Sequence, residues 1–255
     1  MEFAIAQFML ALLLFVRITS VVALAPIFGN MNIPVQTKVA LSVFLSFIVY
    51  PMVAASAPHV NVQFTAFVVL ALKEVLVGLL LGFATSLVFV GVRYAGELIS
   101  YDMGFSLANV FDPESGQNNP VVGEFLYLFT LLIFLLINGH HFILQAIQFS
   151  YSSIPIGGNT LSESALSTLV ALTGSVFVVA VKFAAPVVVA LFLTNIALAI
   201  LTRVMPQMNI FAVSMPAKVG VGIMVLMATA PLMAYVFKKL LTNFENNVLE
   251  LVKAL

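Results

Sequence analysis

The sequence predicts an all-α, polytopic membrane protein, and three observations carry that prediction. First, 62% of the 255 residues are hydrophobic and only 8% are charged, with a mean hydropathy of +1.17. A soluble domain has roughly 45–50% apolar and about 25% charged residues. Ten Lys and Arg balance ten Asp and Glu, too few to coat a globule in water, so a water-soluble enzyme is excluded. Second, the apolar residues gather into blocks of the length a bilayer demands, about 20 residues per helix. Third, the blocks are punctuated by proline, glycine and isolated charges rather than by the alternating polarity of strands. Nucleic-acid binding is excluded on charge: the net charge is +0 and no basic run exceeds Lys238-Lys239. With no cysteine, disulfides, thiol catalysis and Cys-based metal sites are excluded together.

The first block, Phe3 to Pro26, is interrupted only by Arg17. Ala23-Leu24-Ala25 resembles a cleavage site, but Pro26 follows it and Met1-Glu2-Phe3 lacks a basic leader, so a retained helix is expected. The second block runs from Val39 to Ala57 and the third from Phe64 to Val92, with Lys73-Glu74 near its start. Within the third, Gly78 and Gly82 form GxxxG and Ser86 continues the small stripe; small residues let helix backbones approach, so a close helix contact is expected there. The fourth block spans Val121 to Ile137, and Asn138-Gly139-His140-His141 reads as a polar break before Phe142 to Phe149. Adjacent helical histidines point about 100° apart, so no metal site is expected.

The fifth block, Ala165 to Leu201, would be about 55 Å long as one helix, against a core of about 30 Å. With Lys182 and Pro186 near its middle, a sharply kinked helix or two half-helices are expected. The sixth block runs from Val219 to Phe237. After it, Phe237, Leu241, Phe244, Val248, Leu251 and Leu255 recur at 4-3-4-3-4 spacing, the mark of an amphipathic helix that docks on a partner or on the chain's own helices. Six spans would place Lys73, Lys238, Lys239 and Lys253 on one side and Lys38, Arg93, Arg203 and Lys218 on the other, a tie that sets no orientation.

Arg17 and Lys182 lie inside apolar blocks, where an unpaired charge costs at least about 2.5–3.5 kcal/mol. A structural pair with an acid such as Glu74, with Lys73 beside it, is the expected solution; an ion pathway or an inter-subunit pair is the functional alternative. Residues Ser100 to Asn119 hold Asp102, Asp112 and Glu114, yet interleave Met103, Phe105, Leu107, Val110 and Phe111. So apolar a loop is either re-entrant and packed on its own helices, or a plug lining a cavity. No nucleophile elbow, zinc-protease or P-loop motif occurs, and no catalytic constellation emerges.

Arg17…Pro26-Ile-Phe-Gly29…Ile33-Pro34…Lys38, Lys73-Glu74…Gly78…Gly82-Phe83, Gly96-Glu97…Met103-Gly104-Phe105…Ala108…Asp112-Pro113, and Asn138-Gly139-His140-His141…Ser150…Pro155-Ile156-Gly157 together resemble, in order and spacing, the FliR family of flagellar biosynthetic proteins. The match covers residues 10–240. The resemblance implies a non-enzymatic channel subunit, without cofactor, of the export gate of a type III secretion system, in the flagellar basal body of the bacterial inner membrane or its injectisome relative. Its implied partners are FliP-like and FliQ-like small helical membrane proteins in one hetero-oligomer, other export-apparatus proteins, and the unfolded substrates that pass through. The implied architecture is a single export-gate domain, 1–255, of bent helical hairpins packed in a helical assembly and raised toward the periplasmic side. Residues 1–164 would hold the N-terminal helices and a plug loop at 100–119; 165–255 would form a FliQ-like hairpin and the amphipathic tail. Met103, Phe105, Leu107 and Phe111 are implied to close the pore, with Gly104, Asp112 and Pro113 shaping the loop. A small-solute secondary transporter is the alternative, although no inverted repeat is found.

Overall fold

The structure, a computed structural model, describes residues 2–30, 32–54, 64–105, 121–158 and 162–254. Among these residues it is helical throughout, with short turns between helices and no strand. In chain order the helices are α1 (Glu2–Leu24), α2 (Val35–Ala54), α3 (Phe64–Met103), α4 (Val121–Leu136), α5 (Gly139–Ser153), α6 (Glu163–Val204) and α7 (Ile210–Ala254). By length and composition, five are able to cross a membrane, or up to six spans if the bent pair α4 and α5 counts as one. The bend falls at Asn138, whose backbone is left-handed at φ 59°; the histidine pair lies in the first turn of α5.

The long helices depart from the sequence blocks for physical reasons. α3 continues past Val92 because Val92, Ala95, Ile99 and Met103 keep a buried face at helical spacing, while Arg93, Tyr94, Glu97 and Tyr101 point outward. Charges on the outer face do not end a helix. α6 continues as one helix through Pro186, so of the two expected forms, a kinked helix and two half-helices, the second is not adopted. A proline removes one hydrogen bond and its φ suits a helix; strongly apolar turns on both sides hold the rest of the ladder. α7 likewise passes Pro216 and Pro231 and carries directly into the tail, whose seam of Phe237, Leu241, Phe244, Val248 and Leu251 is buried within the chain.

The chain divides into two compact units. The first comprises Met1–Leu87, Leu135–Thr173 and Thr242–Leu255; the second comprises Val88–Phe134 and Gly174–Leu241. In the first unit, α1 faces α2 across a shallow apolar cleft of about 250 Å³ lined by Phe8, Phe15, Phe47 and Tyr50 among others. α2 buries Ser42 and Ser46 and exposes Val43, Phe44, Phe47 and Ile48. The buried hydroxyls donate to the carbonyls one turn back, Lys38 (2.8 Å) and Ser42 (2.6 Å), so they cost nothing inside. α1 meets α3 where the glycines lie. A Cβ on Gly78 would sit 2.5 Å from the Arg17 carbonyl oxygen, and one on Gly82 would sit 2.9 Å from both Leu24 Cβ and the Val21 carbonyl. Ser86, a turn on, is half-buried and donates to the Phe83 carbonyl of its own helix at 2.8 Å.

In the second unit an aromatic cluster is the centre. Phe89 on α3 packs edge-on against Tyr127 and Phe134 of α4 and Phe237 of α7, at centroid distances of 6.2, 5.2 and 5.8 Å. Phe183 of α6 completes it against Phe237 at 6.5 Å. Edge-to-face geometry of this kind adds to the burial of the rings. Gly96 and Gly123 bring α3 and α4 into backbone contact, and Arg93 pairs with Glu124 at 3.3 Å on the exposed side of that seam.

Replacing Gly78 with valine should force α1 off α3, because the obstructing atom is a backbone carbonyl that cannot swing away. Overpacking of this sort costs about 1–3 kcal/mol. Thermal unfolding followed by circular dichroism in mild detergent should show a clear fall in Tm for Gly78→Val. Gly220→Val, at a glycine whose Cβ would meet nothing within 4 Å, should leave Tm nearly unchanged.

Candidate functional site

Two constellations, one in each unit, hold several of the residues singled out from the sequence. In the first unit, Arg17 is fully buried on α1 and Glu74 is 1% exposed on α3. Arg17 Nε donates to Glu74 Oε2 at 2.5 Å. The other guanidinium nitrogens turn to the last turn of α5. Nη1 donates to the Ser150 carbonyl (3.2 Å), the Ser150 hydroxyl (3.4 Å) and the Ile154 carbonyl (3.2 Å), and Nη2 donates to the Ile154 carbonyl (3.2 Å). These carbonyls form the negative end of the α5 dipole, where a cation is favoured. Tyr151 lies under the guanidinium, its ring centroid 4.4 Å from Cζ, and its hydroxyl donates to the Leu14 carbonyl at 3.1 Å. One side chain thus ties α1, α3 and α5 by an ion pair, a helix cap and a cation–π contact.

Lys73 is not part of that pair. Its Nζ donates to the carbonyls of Gly157 and Gly158 at 3.3 and 3.4 Å, which pins the turn after α5. Lys182 is exposed on α6 and has no ion-pair or hydrogen-bond partner among the described residues; Glu74, the acid expected for it, is taken by Arg17. Lys38 closes the turn after α1 by donating to the Gly29 carbonyl at 3.0 Å. The Gly29 amide in turn donates to the Ala25 carbonyl at 2.8 Å.

The second constellation lies in the second unit, where α3 ends. Met103 is fully buried and packs closely against Gly222 of α7, where a Cβ would require the end of the Met103 side chain to shift. Gly104 has φ 90°, a region glycine enters at no steric cost. Its amide donates to the Tyr101 carbonyl at 3.0 Å and the Phe105 amide donates to the Ser100 carbonyl at 3.1 Å. These two bonds are the Schellman pattern that stops a helix. Phe105 then enters an apolar cleft of about 480 Å³, which it shares with Met103, Val121, Phe125, Leu226 and Met227 among others. Leu107, Phe111, Asp112 and Pro113 lie outside the described residues. Phe105 and Val121, the described residues on either side of that segment, both line this cleft.

Among the described residues, no group of three or more His, Asp or Glu is placed to hold a metal ion. The contacts that sequence reasoning missed are those made by backbone or by unremarkable side chains: the Ser150 and Ile154 carbonyls, Tyr151, and the glycines Gly96, Gly123 and Gly222. Nothing in the sequence marks the carbonyls.

The chain matches the family described as bacterial export proteins, family 1, over residues 8–244. It is 35% identical to flagellar biosynthetic protein FliR of Bacillus subtilis (strain 168) over 218 residues, which is 84% of this chain and 83% of that protein. With flagellar biosynthetic protein FliR of Escherichia coli (strain K12) the identity is 31% over 239 residues, 94% of this chain and 91% of the relative. Surface presentation of antigens protein SpaR of Shigella sonnei is 37% identical over 150 residues, 58% of this chain and 57% of that protein.

Removing one member of the Arg17–Glu74 pair should be far worse than removing both. A lone buried charge costs about 3–5 kcal/mol, whereas an apolar replacement of the whole pair is often neutral. Arg17→Met and Glu74→Leu should each abolish accumulation of folded protein or lower its Tm steeply, and the double variant should recover most of the loss. Recovery is incomplete because the Ser150 and Ile154 carbonyls lose their donor. The measurement is a double-mutant cycle of thermal unfolding in detergent.

Proposed function

The chain belongs to the bacterial export proteins of family 1, together with the FliR flagellar biosynthetic proteins, and on that premise we propose that it is a non-enzymatic channel subunit of the flagellar type III protein-export gate. In this reading it works in the bacterial inner membrane, at the flagellar basal body, with its helices raised toward the periplasmic side. It assembles with FliP-like and FliQ-like small helical membrane proteins and forms part of the pore that passes unfolded substrate proteins.

The observation that carries the subunit reading is the length of the exposed apolar surface. α6 has 42 residues and is about 63 Å long at 1.5 Å per residue. Its exposed large apolar side chains run from Leu166 (52%) and Val170 (73%) to Ile200 (61%) and Val204 (72%). A hydrocarbon core is about 30 Å thick, and a tilt within the usual range of 0–40° covers only about 40 Å of helix. Apolar surface beyond that must be covered by protein. Residues 1–164 and 165–255 remain the proposed division into N-terminal helices and a FliQ-like hairpin with its tail.

The plug belongs to the same proposal. Met103, Phe105, Leu107 and Phe111 close the pore, and Gly104, Asp112 and Pro113 shape the segment. Its support is that the chain borders one apolar cleft at both Phe105 and Val121. Apolar side chains at a constriction exclude water and ions by dewetting, and an entering peptide displaces them.

Native mass spectrometry of the tagged protein, extracted from its own host in mild detergent, tests the subunit reading. One copy in a large complex with several small helical membrane proteins is the expected result; a stable monomer or homodimer would favour a small-solute transporter instead. The plug has a separate test. Cells carrying Phe105→Ala with Phe111→Ala should leak small ions at rest. A double variant that stayed tight and exported normally would remove the plug assignment.

A further inference from the structure

α6 presents an apolar stripe with one charge in it. Val178, Val181, Lys182, Ala185 and Val189 are all exposed and follow one another at the three- and four-residue spacing of a single helix face, with Phe192 continuing it. Between Glu163 and Arg203, Lys182 is the one charged residue of the helix. It lies near the middle of the 42-residue α6, about 30 Å from either end, which is further than a lysine side chain reaches. Snorkelling to the ends of the helix is therefore closed to it.

A second polar group stands at the same position. Pro186 follows Lys182 by four residues and has no N–H, so the Lys182 carbonyl lacks the donor that an unbroken helix would supply. Ala185 beside it is small and exposed, leaving the carbonyl open to approach. Helical side chains lean toward the N-terminus, so the ammonium is directed away from its own carbonyl and does not satisfy it. Position 182 therefore offers a cation and an unpaired acceptor on a face that is otherwise apolar.

We infer that this face of α6 docks on a helix of a partner subunit that carries an aspartate or glutamate at the level of Lys182. An apolar partner would leave the charge buried and unpaired, which is strongly unfavourable. A carboxylate neutralises it, and a hydroxyl or amide beside that carboxylate meets the carbonyl. The inference rests on the reading of the chain as one subunit of a membrane assembly, and deepens it by naming the chemistry of one contact.

The test is carbodiimide cross-linking of the assembled complex in its native membranes, using a membrane-permeant reagent and peptide mass spectrometry. The expected product is an amide between Lys182 and a carboxylate of a different chain, absent from Lys182→Met and from Lys182→Arg, whose guanidinium does not couple. Lys182→Glu should lower the co-purified partner at least about tenfold, near 1.4 kcal/mol. Changing the identified carboxylate to lysine should restore it. An intact complex in which Lys182 stays uncoupled, or couples within its own chain or to an acidic lipid, overturns the inference. The same holds if Lys182→Met retains its partners at the wild-type level. Those results leave the subunit reading standing. A wild-type chain that purifies without any partner overturns both.

Discussion

Arg17 sets the terms for the first unit. A guanidinium cannot shed its charge, so once α1 is inside apolar surroundings everything near Arg17 must serve it. Glu74 supplies the counter-charge, the end of α5 supplies carbonyls, and Tyr151 supplies a ring face. Those groups lie on α3 and at the end of α5, so satisfying one cation on α1 fixes three segments against one another. The glycines fall where this arrangement brings backbones closest: Gly78 lies over the carbonyl of Arg17 itself. Charge satisfaction and close packing are therefore one constraint, and the GxxxG stripe is the steric counterpart of the ion pair.

The surface follows a different logic from that of a protein folded in water. α2 turns serines inward and phenylalanines outward. In a bilayer that arrangement is sound, because lipid offers no hydrophobic penalty to a large apolar side chain, whereas small residues inside allow close approach. The second unit gathers Phe89, Phe134, Phe183 and Phe237 where α3, α4, α6 and α7 converge. Elsewhere its helices show valine, leucine and phenylalanine to the outside. Such helices are complete only with something apolar beside them.

Much of this was legible in the sequence because composition and spacing report burial directly. The six apolar blocks, the break at Asn138 and the seam from Phe237 to Leu251 are patterns of hydrophobicity, and such patterns set which residues can face lipid or core. Helix ends were less legible. α3 outruns its apolar block because a charged outer face is compatible with a buried inner one, and a window of hydropathy averages the two. Pro186 left two forms open, a kinked helix and two half-helices, and the chain continues as one helix because a single lost hydrogen bond is set against long apolar flanks. The partners of Arg17 were half visible: Glu74 as an acid of suitable spacing, but not the Ser150 and Ile154 carbonyls, because every residue has a carbonyl and only the fold chooses among them. Lys182 shows the same limit from the other side, a charge whose partner is not found on this chain's described helices.

The end of α3 is a fixed element. Gly104 stands between methionine and phenylalanine at the start of an apolar loop, a place where glycine ordinarily adds freedom. Its conformation is instead committed: a left-handed backbone whose own amide, and that of Phe105, are both bonded back into the last turn of the helix. Met103 packs against Gly222 with no exposed surface. The helix therefore stops at a defined residue and in a defined direction, and Phe105 is delivered to the apolar cleft by covalent geometry rather than by chance. A barrier to water made of a few apolar side chains works only while those side chains stay at the constriction, since dewetting depends on the width of the gap. A rigid stop at Gly104 is what such a barrier requires on its near side.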